Sequence, residues 1–97
     1  MSTYISLLQY TQKGIENVKD SPARLDAARQ IFESYGGRLK EFYLVCGRYD
    51  AVVISEAPDD ASAAKAALSL ATRGNVRAET YLAFPEKEFR NIVSGMK

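Results

Sequence analysis

The segment with the clearest chemical potential is Gly47-Arg48-Tyr49-Asp50, which lies between two apolar runs. A phenol next to a carboxylate can form a donor and acceptor pair at the mouth of a pocket, where Asp50 could act as a base if it is buried. The same residues also suit a tight turn, in which Gly47 supplies a positive φ, Tyr49 covers the edge of the core and Asp50 accepts a backbone N–H. The segment alone leaves both interpretations open.

Tyrosine and arginine supply the other side chains with binding potential. Tyrosine is large, rigid and amphipathic, so packing in a core or dimer and contact with a ligand both explain the six tyrosines. Arginine can bind a carboxylate or phosphate through paired donors. Arg73 also suits the negative end of a helix dipole, and Arg77 suits an ion pair with Glu79 on one strand face. The residues that we expect to contact a small organic ligand are Tyr4, Tyr10, Arg48, Tyr49, Asp50 and Arg77.

Several classes of site lack the residues they need. The chain has no histidine, so a Ser-His-Asp triad, a Cys-His pair and a histidine metal site are excluded. Cys46 has no activating base and is expected to be a small buried hydrophobe. The acidic segment from Glu56 to Asp60 lacks the spacing of a calcium loop, and helix capping explains it more simply. We therefore expect no metal and no cofactor, and the catalytic residues, if any, stay unassigned.

Length and charge restrict the partners. Ninety-seven residues correspond to a single domain over 1–97, small enough that self-association is expected. A net charge of +1 with scattered basic residues gives no reason to expect a nucleic acid. No apolar run approaches the roughly 20 residues that span a bilayer, and no membrane partner is expected. The single cysteine and the polar segment after Met1 lead us to expect a cytoplasmic protein.

Local signals predict the elements that must position these side chains. Alternation over 3–10 predicts a strand with Tyr4 and Tyr10 on one side, followed by a loop over 11–20 with room for one helical turn. Ser21 is the expected N-cap of a helix that ends at Gly36-Gly37. The predicted elements are a strand at 3–10, a helix from 21, strands at 38–46 and 50–56 joined by a hairpin, a helix from 58 to 73, a strand at 76–84 and a short helix from 85.

The order β-α-β-β-α-β with a terminal helix predicts an α+β, ferredoxin-like fold with a four-stranded antiparallel sheet. Both long helices would lie on one face of the sheet, the second through a stripe of small residues, namely Ala64, Ala67, Leu68 and Ala71. Strands one, two and four carry large apolar or aromatic residues on both sides. We therefore expect the uncovered face to pack against a second copy, as in a dimeric α+β barrel.

Two segments and their spacing resemble those of the GYD-domain family of small bacterial proteins, namely Gly-x-Tyr-Asp at 47–50 and Glu56-Ala57-Pro58-Asp59-Asp60. A third segment, Gly74-Asn75-Val76-Arg77, also resembles this family. The resemblance extends over nearly the whole chain. It implies a ferredoxin-like dimeric barrel and no general activity.

Three functions remain open. The first is a ligand-binding or interaction module that forms a homo-oligomer. The second, by analogy with other dimeric α+β barrels, is a cofactor-free oxygenase, decarboxylase or isomerase-like enzyme that uses Tyr, Asp and Arg side chains. The third is a structural assembly protein.

Overall fold

The computed structural model describes residues 1–97 and contains four strands and four α-helices. A single 3-10 turn, Val18–Asp20, precedes the longest helix. In chain order the elements are β1 (Ser2–Tyr10), α1 (Gln12–Glu16), α2 (Ser21–Ser34), β2 (Arg38–Leu44), β3 (Ala51–Ala57), α3 (Asp60–Ala71), β4 (Val76–Ala83) and α4 (Glu86–Ser94).

The four strands form one antiparallel sheet in the order β2-β3-β1-β4. β1 and β3 lie at the centre, where Ile5 pairs with Ile54 on one side and with Tyr81 on the other. Helices α2 and α3 are the crossovers, since each joins two strands that are consecutive along the chain but not neighbours in the sheet. This is the predicted α+β, ferredoxin-like arrangement, which the structure confirms.

The core lies between the sheet and these two helices. Its buried cluster consists of Ala28, Phe32, Leu39, Val53 and Ala66. Only 11 of the 97 residues are buried, which is a small core even for a chain of this length. The predicted stripe on α3 is wrong in register, because Ala66 is buried while Leu68 is 67% exposed.

The ends of the long helices follow the predicted signals with one correction. Gly36 has φ +82, and the N–H of Gly37 donates to the Phe32 carbonyl at 2.9 Å, which closes α2 with a Schellman motif. Asp59 caps α3, since its Oδ1 accepts the N–H of Ser62 at 2.7 Å. Ser21 is not the N-cap of α2. It is the first helical residue, and its Oγ accepts a hydrogen bond from Arg24 instead.

The connection between β2 and β3 differs from the predicted tight turn. Gly36 and Gly74 are the residues with positive φ, so the prediction of a positive φ at Gly47 is wrong. β2 already ends at Leu44, and a longer loop leads to Asp50, whose N–H donates to the Leu8 carbonyl at 2.8 Å. Cys46 lies in this loop and is exposed, which corrects the expectation that it is buried.

The second face of the sheet carries no helix, and we call it the open face. Its centre is formed by Ile5, Leu7, Val52 and Ile54, which lie side by side across β1 and β3. Tyr43 on β2 and Tyr81 on β4 extend these rows and are 52% and 53% exposed.

The terminal helix α4 is exposed at every residue. The chain extends over 52 × 31 × 17 Å, with a radius of gyration of 14.5 Å. A compact chain of this length has about 12.5 Å. None of the helices is both long enough and apolar enough to cross a membrane.

Candidate functional site

The structure divides the six predicted ligand contacts between the two faces of the sheet. Tyr4, Tyr10 and Asp50 line a large groove on the helix side, whereas Tyr49 lines a small cleft on the open face. Arg77, on the edge strand β4, borders both. The remaining residue, Arg48, lines neither cavity and lies with its guanidinium carbon 5.9 Å from the centre of the Tyr49 ring.

Asp50 holds the backbone at the junction of β1 and β3. Its Oδ2 accepts the N–H of Tyr10 at 2.8 Å, just beyond Leu8, where the pairing of β1 with β3 ends. The carboxylate thus accepts this N–H in place of a carbonyl oxygen of a paired strand. Tyr49 and Asp50 are neighbours in sequence, but their polar groups bind different partners on opposite faces.

On the open face, two phenols converge on one carboxylate. The Oε2 of Glu79 accepts a hydrogen bond from Tyr49 at 3.1 Å and another from Tyr81 at 2.8 Å. The hydrogen bond to Glu79 and its negative charge raise the pKa of Tyr81, because both favour the neutral phenol. The predicted ion pair between Arg77 and Glu79 is absent, since Glu79 binds the phenols instead.

The cleft beside this cluster has a volume of about 360 Å³ and is lined by Leu7, Gln9, Tyr49, Arg77, Ala78 and Glu79. From the sequence, Glu79 was predicted only to form an ion pair with Arg77. Its spacing of two from Tyr81 on a strand is the signal that could have identified it, since such residues share a face.

The helix-side groove is larger, at about 1410 Å³, and lies between α2, α3 and the sheet. Polar groups on its floor satisfy one another. The hydroxyls of Ser6 and Thr80 are 2.9 Å apart, and the Tyr4 hydroxyl donates to Oδ1 of Asp60 at 2.5 Å. The hydrogen bond to Asp60 and, to a smaller extent, burial raise the pKa of Tyr4.

One end of this groove is anchored by the short helix α1. Gly14 is buried against the loop between α3 and β4, where a Cβ would overlap the carbonyl oxygen of Asn75. Thr11 Oγ1 donates to the Gly74 carbonyl at 2.6 Å, and Lys13 Nζ donates to the Arg73 carbonyl at 2.8 Å. The segment interpreted as a loop therefore forms a helix that fixes the backbone around Arg73.

Comparison with known proteins identifies relatives over most of the chain. The family model of the GYD domain matches residues 4–93. A protein of Thermus thermophilus named glutamine synthetase and cystathionine beta-lyase binding protein is 40% identical over 86 residues, which are 88% of this chain and 90% of that protein.

Two solved structures are also similar. The hypothetical protein PHS023 from Pyrococcus horikoshii superposes with a TM-score of 0.56 at 19% identity, over 89% of this chain and 93% of that one. TTHA0845 from Thermus thermophilus superposes with a TM-score of 0.49 at 24% identity, over 88% and 95% of the two chains. The Pyrococcus structure supports the small α+β fold, and the match of the family model to residues 4–93 supports the predicted resemblance. The chain belongs to the GYD domain family.

Proposed function

We propose that this protein is an interaction module, which pairs with a second copy through its open face and binds a metabolic enzyme through α4. The observation that carries the proposal is the pair of apolar surfaces that the fold leaves uncovered. Exposed apolar surface of this extent is typical of a binding site.

The open face suits a second copy of the same chain. A two-fold interface places the same patch of both subunits in contact, so the patch must complement itself. Here charged residues of both signs flank an apolar centre around Leu7 and Ile54. Glu41 pairs with Ile54 and Glu79 pairs with Leu7, whereas Arg38 and Arg77 lie in two other rows of paired residues. Rotation about a two-fold axis can therefore bring acidic positions opposite basic ones.

Helix α4 suits a different partner. Phe89, Ile92 and Val93 follow the spacing i, i+3, i+4 of a helix that binds in a groove, and they are between 48% and 57% exposed. Charged residues and the polar Asn91 and Ser94 occupy the rest of the helix. The Thermus relative is named as binding glutamine synthetase and cystathionine beta-lyase, which supports an enzyme as the partner here.

Pairing is tested by sedimentation equilibrium of the wild type and of Ile54→Glu at micromolar concentration. We expect a dimer, or a multiple of one, for the wild type and a folded monomer for the variant. Leu68→Glu is the control, since it places the same charge on an exposed leucine of the helix side. A wild type that stays monomeric would contradict the pairing.

Enzyme binding is tested by titrating the protein into glutamine synthetase and cystathionine beta-lyase of the same organism in a calorimeter. We expect saturable binding to at least one enzyme, weakened at least tenfold by Phe89→Glu. Asn91→Glu adds the same charge to α4 outside its apolar stripe and should bind as the wild type does. Absence of binding to both enzymes would refute this partner class, and equal loss in both variants would exclude the apolar stripe as the contact.

A further inference from the structure

The sheet ends on one side at β4, and this edge is unprotected. β4 pairs with β1 over its whole length without a bulge, and no strand pairs with its outer side. The residues from Arg77 to Leu82 are exposed, and the strand contains no proline and no lysine. Native proteins usually protect an edge strand with such features, because its free backbone groups can pair with another chain.

The opposite edge, β2, carries the usual protection. An irregularity between Leu39 and Glu41 interrupts its pairing with β3, and Lys40 lies at that point. The guanidinium group of Arg29 also donates to the Leu39 carbonyl at 3.2 Å, which engages one backbone group of this strand. The two edges therefore differ, and β4 is the one that is open to a further strand.

Alternate residues of β4 direct their backbone N–H and C=O groups away from β1. The Leu8 carbonyl accepts the N–H of Asp50 and so points toward β3, which leaves the odd-numbered residues of β1 to bond to β4. The N–H of Thr11 continues this ladder by donating to the Asn75 carbonyl. The even-numbered residues of β4 therefore point outward, and the backbone hydrogen bonds outside the ladders use none of their groups. These residues are Val76, Ala78, Thr80 and Leu82.

A second copy of the same strand fits this edge. When β4 pairs antiparallel with β4 of another copy about a two-fold axis through Ala78, Arg77 of each copy lies opposite Glu79 of the other. Val76 then lies opposite Thr80, so that two β-branched side chains meet. Opposite charges and β-branched residues are favourable partners across an antiparallel pair.

Charge selects this register over its neighbours. Arg77 takes part in none of the ion pairs of the structure. An axis through Glu79 would place two like charges directly opposite each other, which is destabilising. An axis through Thr80 would place Arg77 opposite Ala83. Among these registers, the axis through Ala78 is the one that gives Arg77 a carboxylate.

We propose that β4 pairs antiparallel with β4 of a second copy in this register and joins the two sheets into one. The contact lies at the edge of the sheet and not on the open face, so it goes beyond the pairing proposed above and can join such pairs into larger assemblies. Because only residues 76–80 of each copy take part, we expect it to be weaker than the pairing of the open faces. In Ile54→Glu it should form only well above micromolar concentration.

Disulfide trapping tests the register. Ala78→Cys is combined with Cys46→Ser, which removes the single native cysteine, and with Ile54→Glu, which removes the pairing of the open face. Residues directly opposite each other in an antiparallel pair have Cα atoms about 4.5–5.5 Å apart, within the range of a disulfide. Ala78 lies beside Leu8 on the helix side of the sheet, so contact between two open faces cannot join the introduced thiols. We expect disulfide-linked dimers under mild oxidation at submillimolar concentration.

Leu82→Cys in the same background is the matched control. Leu82 is exposed on the same side of β4, but in this register its equivalent in the second copy lies about 26 Å away along the strands. We expect at least tenfold less linked dimer than for Ala78→Cys. Absence of linkage at position 78, or equal linkage at both positions, would overturn the proposal.

Charge exchange tests the ion pairs. In the Ala78→Cys background, Arg77→Glu and Glu79→Arg each place like charges opposite each other, so each alone should reduce the linked dimer at least fivefold. A mixture of the two variants should restore it, because a copy with two acidic residues then meets a copy with two basic ones. Mass spectrometry should find mainly dimers with one chain of each variant. Linkage that ignores these charges, or a mixture that stays unlinked, would overturn the proposal.

Discussion

The carboxylate of Glu79 accepts hydrogen bonds from two tyrosines that lie 30 and 2 residues away in sequence. Its hydrogen bond and its charge favour the neutral phenol of Tyr81 on the open face, beside the cleft that Arg77 also lines. In a two-fold pair this cluster would lie within the interface. It therefore offers a local probe of that surface.

We expect Glu79→Gln to lower the pKa of Tyr81 toward its ordinary value of 10.0, because the substitution removes the negative charge that favours the neutral phenol. Titration of the tyrosine ring signals by NMR measures the change. Glu16→Gln, which removes the same charge from α1, is the matched control. Identical titration curves for Tyr81 in the wild type and Glu79→Gln would contradict the contact.

Tyr4 is the buried counterpart of this cluster on the helix side. Tyr4→Phe removes its hydrogen bond to Asp60, and we expect the free energy of unfolding to fall by about 1 kcal/mol. Because the folded-state pKa of Tyr4 is raised, this stabilisation is present below pH 10 and is lost as the pH rises through the folded-state value. Urea unfolding at pH 7 and pH 11 measures both effects.

Tyr43→Phe provides the control for this experiment, since Tyr43 is half exposed and its hydroxyl contacts only Glu41. Its unfolding free energy should stay within about 0.5 kcal/mol of the wild type. If the Tyr4 and Tyr43 variants were equally stable, the bond to Asp60 would have no net effect.

At the scale of elements, α3 depends on its cap and α1 on a close approach to the loop between α3 and β4. Asp59 begins α3 with a hydrogen bond to Ser62, and this bond lowers the pKa of Asp59. Gly14 lets α1 touch the loop that precedes β4. Both features position residues of the groove. Their contributions to the stability of the protein can be measured by substitution.

Asp59→Ala should lower the free energy of unfolding at pH 7, whereas Asp59→Asn should retain most of the cap. The lowered pKa means that the stabilisation from the charge is present above the unfolded value near 3.8 and is lost as the pH falls through the folded-state value. Thermal unfolding of the wild type and Asp59→Asn should therefore differ less at pH 2.5 than at pH 7. A constant difference would contradict a charged cap.

Gly14→Ala should destabilise the protein by about 1–3 kcal/mol, because its Cβ would overlap the backbone of Asn75. Gly47→Ala is the matched control. Gly47 has an ordinary φ and no atom within 4 Å of a Cβ, so the substitution should be neutral or stabilise by up to about 1 kcal/mol. Chemical denaturation measures the free energy of unfolding of both variants. A Gly47 variant less stable than the Gly14 variant would contradict the close approach of Gly14 to Asn75.

At the scale of the whole molecule, the sheet has one covered face and one open face, and α4 extends from the body. A helix of nine residues is marginal in water without tertiary packing. Such a helix gains most of its stability when a partner covers its apolar side. The ordering of α4 therefore reports on binding.

Backbone amides of Glu86–Ser94 should exchange with solvent much faster than those of β1 and β3 in the protein without an enzyme partner, because every residue of α4 is exposed. Addition of an enzyme that binds the protein should slow amide exchange in α4 selectively. Hydrogen exchange followed by mass spectrometry measures both states. Protection of α4 equal to that of the central strands before any enzyme is added would show that another surface of the protein already covers it.

The sequence by itself determined where most elements begin and end. Gly36, Asp59 and Pro85 act through their own backbone and the next few residues, and the alternation of β1 assigns its two faces. These are local interactions, so they can be inferred without knowing the fold. The resemblance to the GYD family followed from the short segments at 47–50, 56–60 and 74–77, which can also be recognised without the fold.

Only the tertiary structure decided which side chains meet. Tyr4 and Asp60 are 56 residues apart, and Asp50 reaches Tyr10 across 40 residues, because β1 is inserted between β3 and β4 in the sheet. The register of α3 was likewise set by packing, since an alanine-rich helix has several possible apolar stripes.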